Sequence, residues 1–202
     1  MTTAPRPPGD RLLVATGAVA LAFFALHTAE VLVTRVPWDT IWMCHMACAL
    51  IGIGCFARSG MLAGMGLSWV AYGTPLWVLD LATGGTLVPS SLGTHLGGLA
   101  VGVVAVSRLG FPSGTWLRAL AGLFALVMAT RFTTAPEHNV NLAHRVQAGY
   151  ERFFASYPPY FAFLLALSGA AFLVVERIAR AVLARMATRA DPRGEPVTND
   201  GG

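Results

Sequence analysis

Two pairs in this chain have the spacing of chemistry. His27 and Glu30 stand at i and i+3, as do His45 and Cys48, and residues three apart share a helical face. A histidine beside a carboxylate makes an acid/base pair, and a histidine beside a cysteine offers an activated thiol or two ligands for a soft metal. Further along, Asp80 precedes His95, which lies between Gly93 and Gly97. The densest polar stretch is Ala135-Pro136-Glu137-His138-Asn139-Val140-Asn141-Leu142-Ala143-His144-Arg145. No CxxC, HExxH or GxSxG occurs, so neither a zinc protease nor a serine hydrolase of the elbow type is signalled.

The elements that must position these residues follow from composition. Of 202 residues, 55% are hydrophobic and only 12% charged, and mean hydropathy is +0.61. A soluble domain carries roughly a quarter charged residues, so the composition predicts an all-α polytopic membrane protein. A bilayer core of about 30 Å takes about 20 apolar residues per helix. Six such stretches run Leu12 to Val33, Trp38 to Ala57, Met61 to Ala82, Ser91 to Ser107, Trp116 to Phe132 and Tyr157 to Val175. Residues 12–176 therefore read as one six-helix domain with an outer segment at 133–156, between an N-terminal tail (1–11) and a C-terminal helix end and disordered tail (177–202). Arg6 and Arg11 before an apolar run resemble a signal peptide. The apolar pattern continues to Val33, past the about 7–15 residues of such a region, and predicts a retained helix.

Every basic residue besides histidine is Arg, and the net charge is +4. The arginines stand singly between apolar runs rather than in an aromatic-interleaved patch, which argues against nucleic acid as a partner. Ten of the fourteen fall on the side of the termini, so the positive-inside rule predicts both termini in the cytoplasm of a multi-pass cell-membrane protein whose contacts are membrane lipids. All five histidines then lie in the outer half. At 1.5 Å per residue, His27 and His45 each sit about 10 Å below the outer end of their span and share one depth.

Ionisable residues inside a span are costly and mark a bundle interior or a wet cavity, so their convergence predicts a polar site opening outward. The competing reading is packing: His27 and Glu30 as a hydrogen-bonded pair between helices, and Cys44, Cys48 and Cys55, at i, i+4 and i+11, as buried apolar filler. Gly93-x-x-x-Gly97, Gly98-x-x-x-Gly102, and Gly60, Gly64 and Gly66 allow close helix approach. Pro75 predicts a kink in the third helix. In the outer segment, Leu142, Val146, Tyr150 and Phe153-Phe154 predict a short interfacial helix ending at Tyr157-Pro158-Pro159-Tyr160, either a lid or a connector.

The order of these features resembles the YwaF-like six-helix integral membrane family. The residues that carry the resemblance are His45 and Cys48, Tyr72-Gly73-Thr74-Pro75-Leu76 with Asp80, His95, Gly110-Phe111-Pro112-Ser113-Gly114-Thr115-Trp116-Leu117-Arg118 and Asn139-x-Asn141, over residues 36 to 160. The family includes a glycerophospholipid acyltransferase that uses an intramembrane Cys and His. Its pattern sets Cys two positions after His, where this chain has Ala47; Cys48 follows one residue on, turned by about 100°.

Three readings result. The first is a membrane-embedded enzyme acting on a lipid by acyl transfer or hydrolysis. In it His45 and His95 are acid/base groups, Glu30 or Asp80 orients them, Cys48 is the candidate nucleophile, and no cofactor is required. The second is a metal or haem site built from His27, His45, His95 and His138. The third is a small transporter or a subunit of a larger complex. The predicted sidedness is checked by a cytoplasm-specific reporter fused after Gly202: the fusion is expected to be active, and an inactive one reverses the orientation.

Overall fold

The computed structural model describes residues 8–190, and among them the chain is all α-helical. Six helices follow in order: α1 (Pro8–Thr34), α2 (Met43–Phe56), α3 (Gly60–Ala82), α4 (Gly98–Leu109), α5 (Thr115–Thr133) and α6 (Tyr157–Ala190). A 3₁₀ turn at Pro37–Ile41 precedes α2, a wide π turn at Gly93–Gly97 runs directly into α4, and two 3₁₀ turns, Pro136–His138 and Val140–Leu142, lie between α5 and α6. Four stretches are long and apolar enough to cross a membrane: Arg11–Thr34, Gly60–Ala82, Thr115–Thr133 and Tyr157–Thr188. Met43–Phe56 and Gly93–Leu109 are apolar but shorter.

The helix boundaries differ from expectation in three places. The span expected over Trp38 to Ala57 is broken, because Trp42 has ψ of 142° and α2 begins only at Met43. The sixth helix runs unbroken through Ala190, beyond the span expected to end at Val175 and through the helix end expected from residue 177, so the tail expected from Ala187 begins helical; its remainder, like residues 1–7, lies outside the described residues. The interfacial helix expected around Leu142 to Phe154 is not formed. Asn139, Asn141 and Leu142 at φ of 46°, 52° and 56°, and Gly149 at 89°, turn the chain out of any helical path. Its aromatics cluster all the same: Phe154 packs edge-on against Tyr160 at 5.2 Å, and Tyr150 lies 6.4 Å from Tyr160. Pro158 and Pro159 fall in the first turn of α6, where proline costs no helical hydrogen bond.

The centre of the bundle is α2, with nine of its fourteen residues buried against α1, α3 and α4, while α5 and α6 pack on α3. Small residues make this possible. A methyl group on Gly66 would lie 2.6 Å from the Ala47 carbonyl oxygen of α2, and one on Gly54 would lie 2.6 Å from the Ala63 nitrogen of α3. The three cysteines fill notches on three different neighbours: Cys44 against Gly73 of α3, Cys48 against Gly98 of α4, and Cys55 against Gly17 of α1. At the far side of the bundle, the α5 N-terminus has no cap of its own. The carboxylate of Glu176 from α6 accepts hydrogen bonds from the Gly114 and Trp116 N–H groups, each at 2.9 Å.

Replacing Gly66 by Ala sets a side chain against backbone that cannot yield, so α2 and α3 must separate. The expected loss is about 1–3 kcal/mol, read as a lower unfolding midpoint of the detergent-solubilised protein; an unchanged midpoint would show that the α2 and α3 backbones are not this close.

Candidate functional site

His27 lies seven residues before the end of α1, and His45 is the third residue of α2. Because the two helices approach closely through Gly17, Gly52 and Leu21, the two imidazoles meet with ring centroids 3.8 Å apart at 60°. His95 comes from a third element, the π turn that opens α4. Such turns widen a helix by one residue and recur at functional positions. Phe23 of α1 seats in the notch left by Gly93 and Gly97, which presses this turn against α1. All three histidines are buried, and each lies within range of the others' charge.

The three rings are held differently. His95 Nδ1 lies 2.9 Å from the Ser91 carbonyl oxygen and donates to it, which leaves Nε2 as the ring's free acceptor. The ring lies flat on Trp77, 4.5 Å between centroids at 9°, just beyond the Pro75 position in α3. His27 Nδ1 is 2.6 Å from Ser90 Oγ. The Ser90 backbone N–H in turn donates to Glu30 Oε2 at 2.9 Å, so Glu30 and His27, one turn apart on α1, grip the same residue. His45 Nδ1 is buried with no hydrogen bond, although the backbone of Asp39 and Thr40 acts on the ring. Asp39 also lies close enough for its charge to act on His27, and its Oδ1 accepts from Trp42 Nε1 at 3.1 Å.

The structure thus brings His27, His45, His95 and Glu30 together. Asp80 stands apart: it is exposed at the end of α3, against the Gly84–Gly85 turn. Cys48 is fully buried, and its thiol donates to the Thr94 carbonyl at 3.5 Å rather than to an imidazole. His138 lies on the outer segment, away from the three rings. Among the described residues no three His, Cys, Asp or Glu side chains are arranged to hold one metal ion. His27 and His45, ring against ring, leave no room for a porphyrin between them. The residues that sequence reasoning missed are Ser90, Trp77 and Asp39. Their only local signal is position: Ser90 opens a helix after Val88-Pro89, Trp77 follows Pro75, and Asp39 follows Pro37-Trp38.

The segment between α5 and α6 is a strap across the start of α2. Asn141 Oδ1 accepts from Met43 N–H at 2.8 Å, and its Nδ2 donates to the Ile41 carbonyl at 2.9 Å and to Thr130 Oγ1 at 3.1 Å. That clamps the start of α2, two residues before His45, to α5. Asn139 Oδ1 accepts from the His144 and Arg145 N–H groups, both at 3.0 Å. Arg131 donates to the Ala143 carbonyl and lies over the Tyr157 ring at 4.9 Å, while Tyr157 donates to the Leu142 carbonyl at 3.1 Å.

With this geometry in hand, comparison with family models, with curated proteins and with solved structures finds no match to the chain. The class defined by fold and site is therefore stated from the molecule: an α-helical bundle, apolar as integral membrane proteins are, with a histidine cluster where α1, α2 and the start of α4 meet.

His144, in the strap, is held below the ordinary histidine value by desolvation and then by the nearby Arg131, with Glu137 and the Thr134 backbone acting oppositely. Its Nε2 pairs with Thr134 Oγ1 at 3.1 Å. A histidine with a depressed folded value binds fewer protons folded than unfolded, so stability is full above the unfolded value, 6.5, and falls as pH drops below it. Unfolding midpoints measured from pH 7.5 to 5 are expected to fall more steeply for the native chain than for His144→Gln; parallel curves would exclude His144 as the titrating group.

Proposed function

We propose that this chain is a six-helix integral membrane protein with both termini in the cytoplasm, and that its histidine cluster is an acid/base site acting on a membrane lipid by acyl transfer. The four long apolar helices support membrane insertion. The two short ones, Met43–Phe56 and Gly93–Leu109, are about 21 and 25 Å long, and the Pro37–Ile41 turn lengthens the first toward the outer face. The distribution of arginines, ten against four, supports the orientation. In that orientation His27 lies about 10 Å inside the outer end of α1, a depth that a lipid's acyl ester reaches by dipping inward from its level just beyond the hydrocarbon core.

The observation that carries the catalytic reading is the ring contact of His27 with His45, with the buried His95 of a third element within range of their charge, in a mostly apolar surrounding and each ring differently bonded. His95 has Nδ1 tied to a carbonyl and Nε2 free to accept a proton, and Trp77 fixes its plane. His45 keeps an unbonded Nδ1 for a substrate. A base held in one tautomer and orientation contributes about 10²–10⁴-fold to a proton-transfer step. Stacked on one face and donating through Nδ1, His95 is placed to act as such a base or acid.

The test is turnover in vesicles of phosphatidylcholine and phosphatidylethanolamine bearing labelled acyl chains, with products separated by mass. The His95→Ala protein is expected to fold and to lose about 10²-fold or more in turnover. Equal turnover by His95→Ala would remove His95 from the chemistry, and a native protein that neither moves nor releases acyl chains would overturn the reading.

A further inference from the structure

Among the described residues two hydroxyls approach imidazole nitrogens of the histidine cluster, Thr94 Oγ1 at 3.4 Å from His95 Nδ1 and, much closer, that of Ser90. Its Oγ lies 2.6 Å from His27 Nδ1, a short O–H···N contact across 63 residues of sequence. The backbone N–H of the same residue donates to Glu30 Oε2 at 2.9 Å, a charge-assisted bond that holds the Ser90 backbone beside α1. Its position differs from that of every cysteine in the chain. Cys48 and Cys55 are buried and Cys44 lies against Gly73, whereas Ser90 is half-exposed where the loop from α3 enters the helix. Its surroundings are apolar and open: Leu26, beside His27, is 64% exposed, and Leu92, two residues after Ser90, is 44% exposed. A hydroxyl hydrogen-bonded to an imidazole, beside a carboxylate and flanked by exposed leucines, is the arrangement of an activated serine facing lipid.

We infer that Ser90 is the nucleophile of this site and His27 its base, forming a Ser–His dyad with Glu30 as the positioning carboxylate, and that it takes acyl esters. The inference rests on the acyl-transfer reading for its substrate, not for the dyad itself. The Ser90 hydroxyl has two acceptors in reach, the Glu30 carboxylate and His27 Nδ1; in the reactive arrangement, with His27 in the Nε2–H tautomer, it donates to Nδ1. As Oγ bonds to the ester carbonyl carbon, its proton passes to Nδ1, and the carbonyl π pair moves onto the oxygen. Collapse of the tetrahedral species breaks the bond to the leaving alkoxyl oxygen, which takes the proton from His27 and leaves an acyl ester on Ser90. An acceptor hydroxyl, from water or a lipid alcohol, then attacks this ester. It gives its proton to His27, and Ser90 Oγ takes that proton back as it leaves.

The experiment treats the full chain in detergent and in vesicles with a fluorophosphonate, a probe that phosphonylates activated serines, and maps the adduct by peptide mass. The expected result is one adduct on Ser90, absent in Ser90→Ala and formed about 10²-fold more slowly in His27→Gln. Should Ser90→Ala fail to fold, Ser90→Cys decides: its thiol, beside the same imidazole, is expected to alkylate with iodoacetamide faster than the three native cysteines. An unlabelled native protein, an adduct elsewhere, or equal labelling in Ser90→Ala overturns the dyad. Lipid turnover separates the two claims. Turnover retained by Ser90→Ala removes the dyad and leaves the acyl-transfer reading, while Ser90 labelling without lipid turnover keeps the dyad and removes the lipid substrate.

Discussion

The close approach of α2 to its three neighbours is the constraint on which the rest of the structure depends. Helix backbones separated by a glycine and a carbonyl oxygen, as Gly66 and Ala47 are, leave no room for lateral adjustment. In a lipid-like environment the driving force between helices is contact rather than water exclusion, so small residues set the distances. With those distances fixed, the third residue of α2 must meet the residue seven before the end of α1. His27 and His45 therefore touch, and the π turn carrying His95 closes over them because Phe23 fills the notch between its two glycines.

A bundle this tight creates a second demand, since buried backbone donors at helix starts need partners. Neither α2 nor α5 has a side-chain cap of its own. Asn141 serves one from the outer segment and Glu176 serves the other from α6, over 98 and 62 residues of sequence. The segment between α5 and α6 and the loop before α5 are thus tied by the same device at opposite ends of the bundle. The strap bears on the site without entering it: Asn141 fixes the first turn of α2, and so the direction in which His45 leaves the backbone.

Much of the fold was legible in the sequence because helical rise is constant. Apolar length gave the six helices, but the equal counts that set His27 and His45 at one depth ran from Trp38 through the break at Trp42; His45 is the third residue of α2, and the two rings meet through helix packing. The pairing of His27 with Glu30 on one face also follows from spacing. The break at Trp42 did not follow, because Trp38 to Ala57 is apolar apart from Asp39, Thr40 and His45, and hydropathy cannot distinguish an extended residue from a helical one. The interfacial helix was expected for the opposite reason: Leu142, Val146 and Tyr150 have helical spacing, yet three left-handed residues nearby override it. Cys48 stood beside His45 in sequence, but the thiol answers to the Thr94 carbonyl of a different helix.

By itself the sequence determined where the chain is apolar and which residues share a helical face, as His27 and Glu30 do. Each of these is a property of composition or of a fixed rise per residue. Only the tertiary structure decided which polar groups are partners. The Ser90 contacts with His27 and Glu30, the stacking of Trp77 on His95, and the separation of Asp80 from the cluster all depend on helix pairing and rotation. Those are set by the fit of glycines against backbone and rings, which local periodicity does not encode.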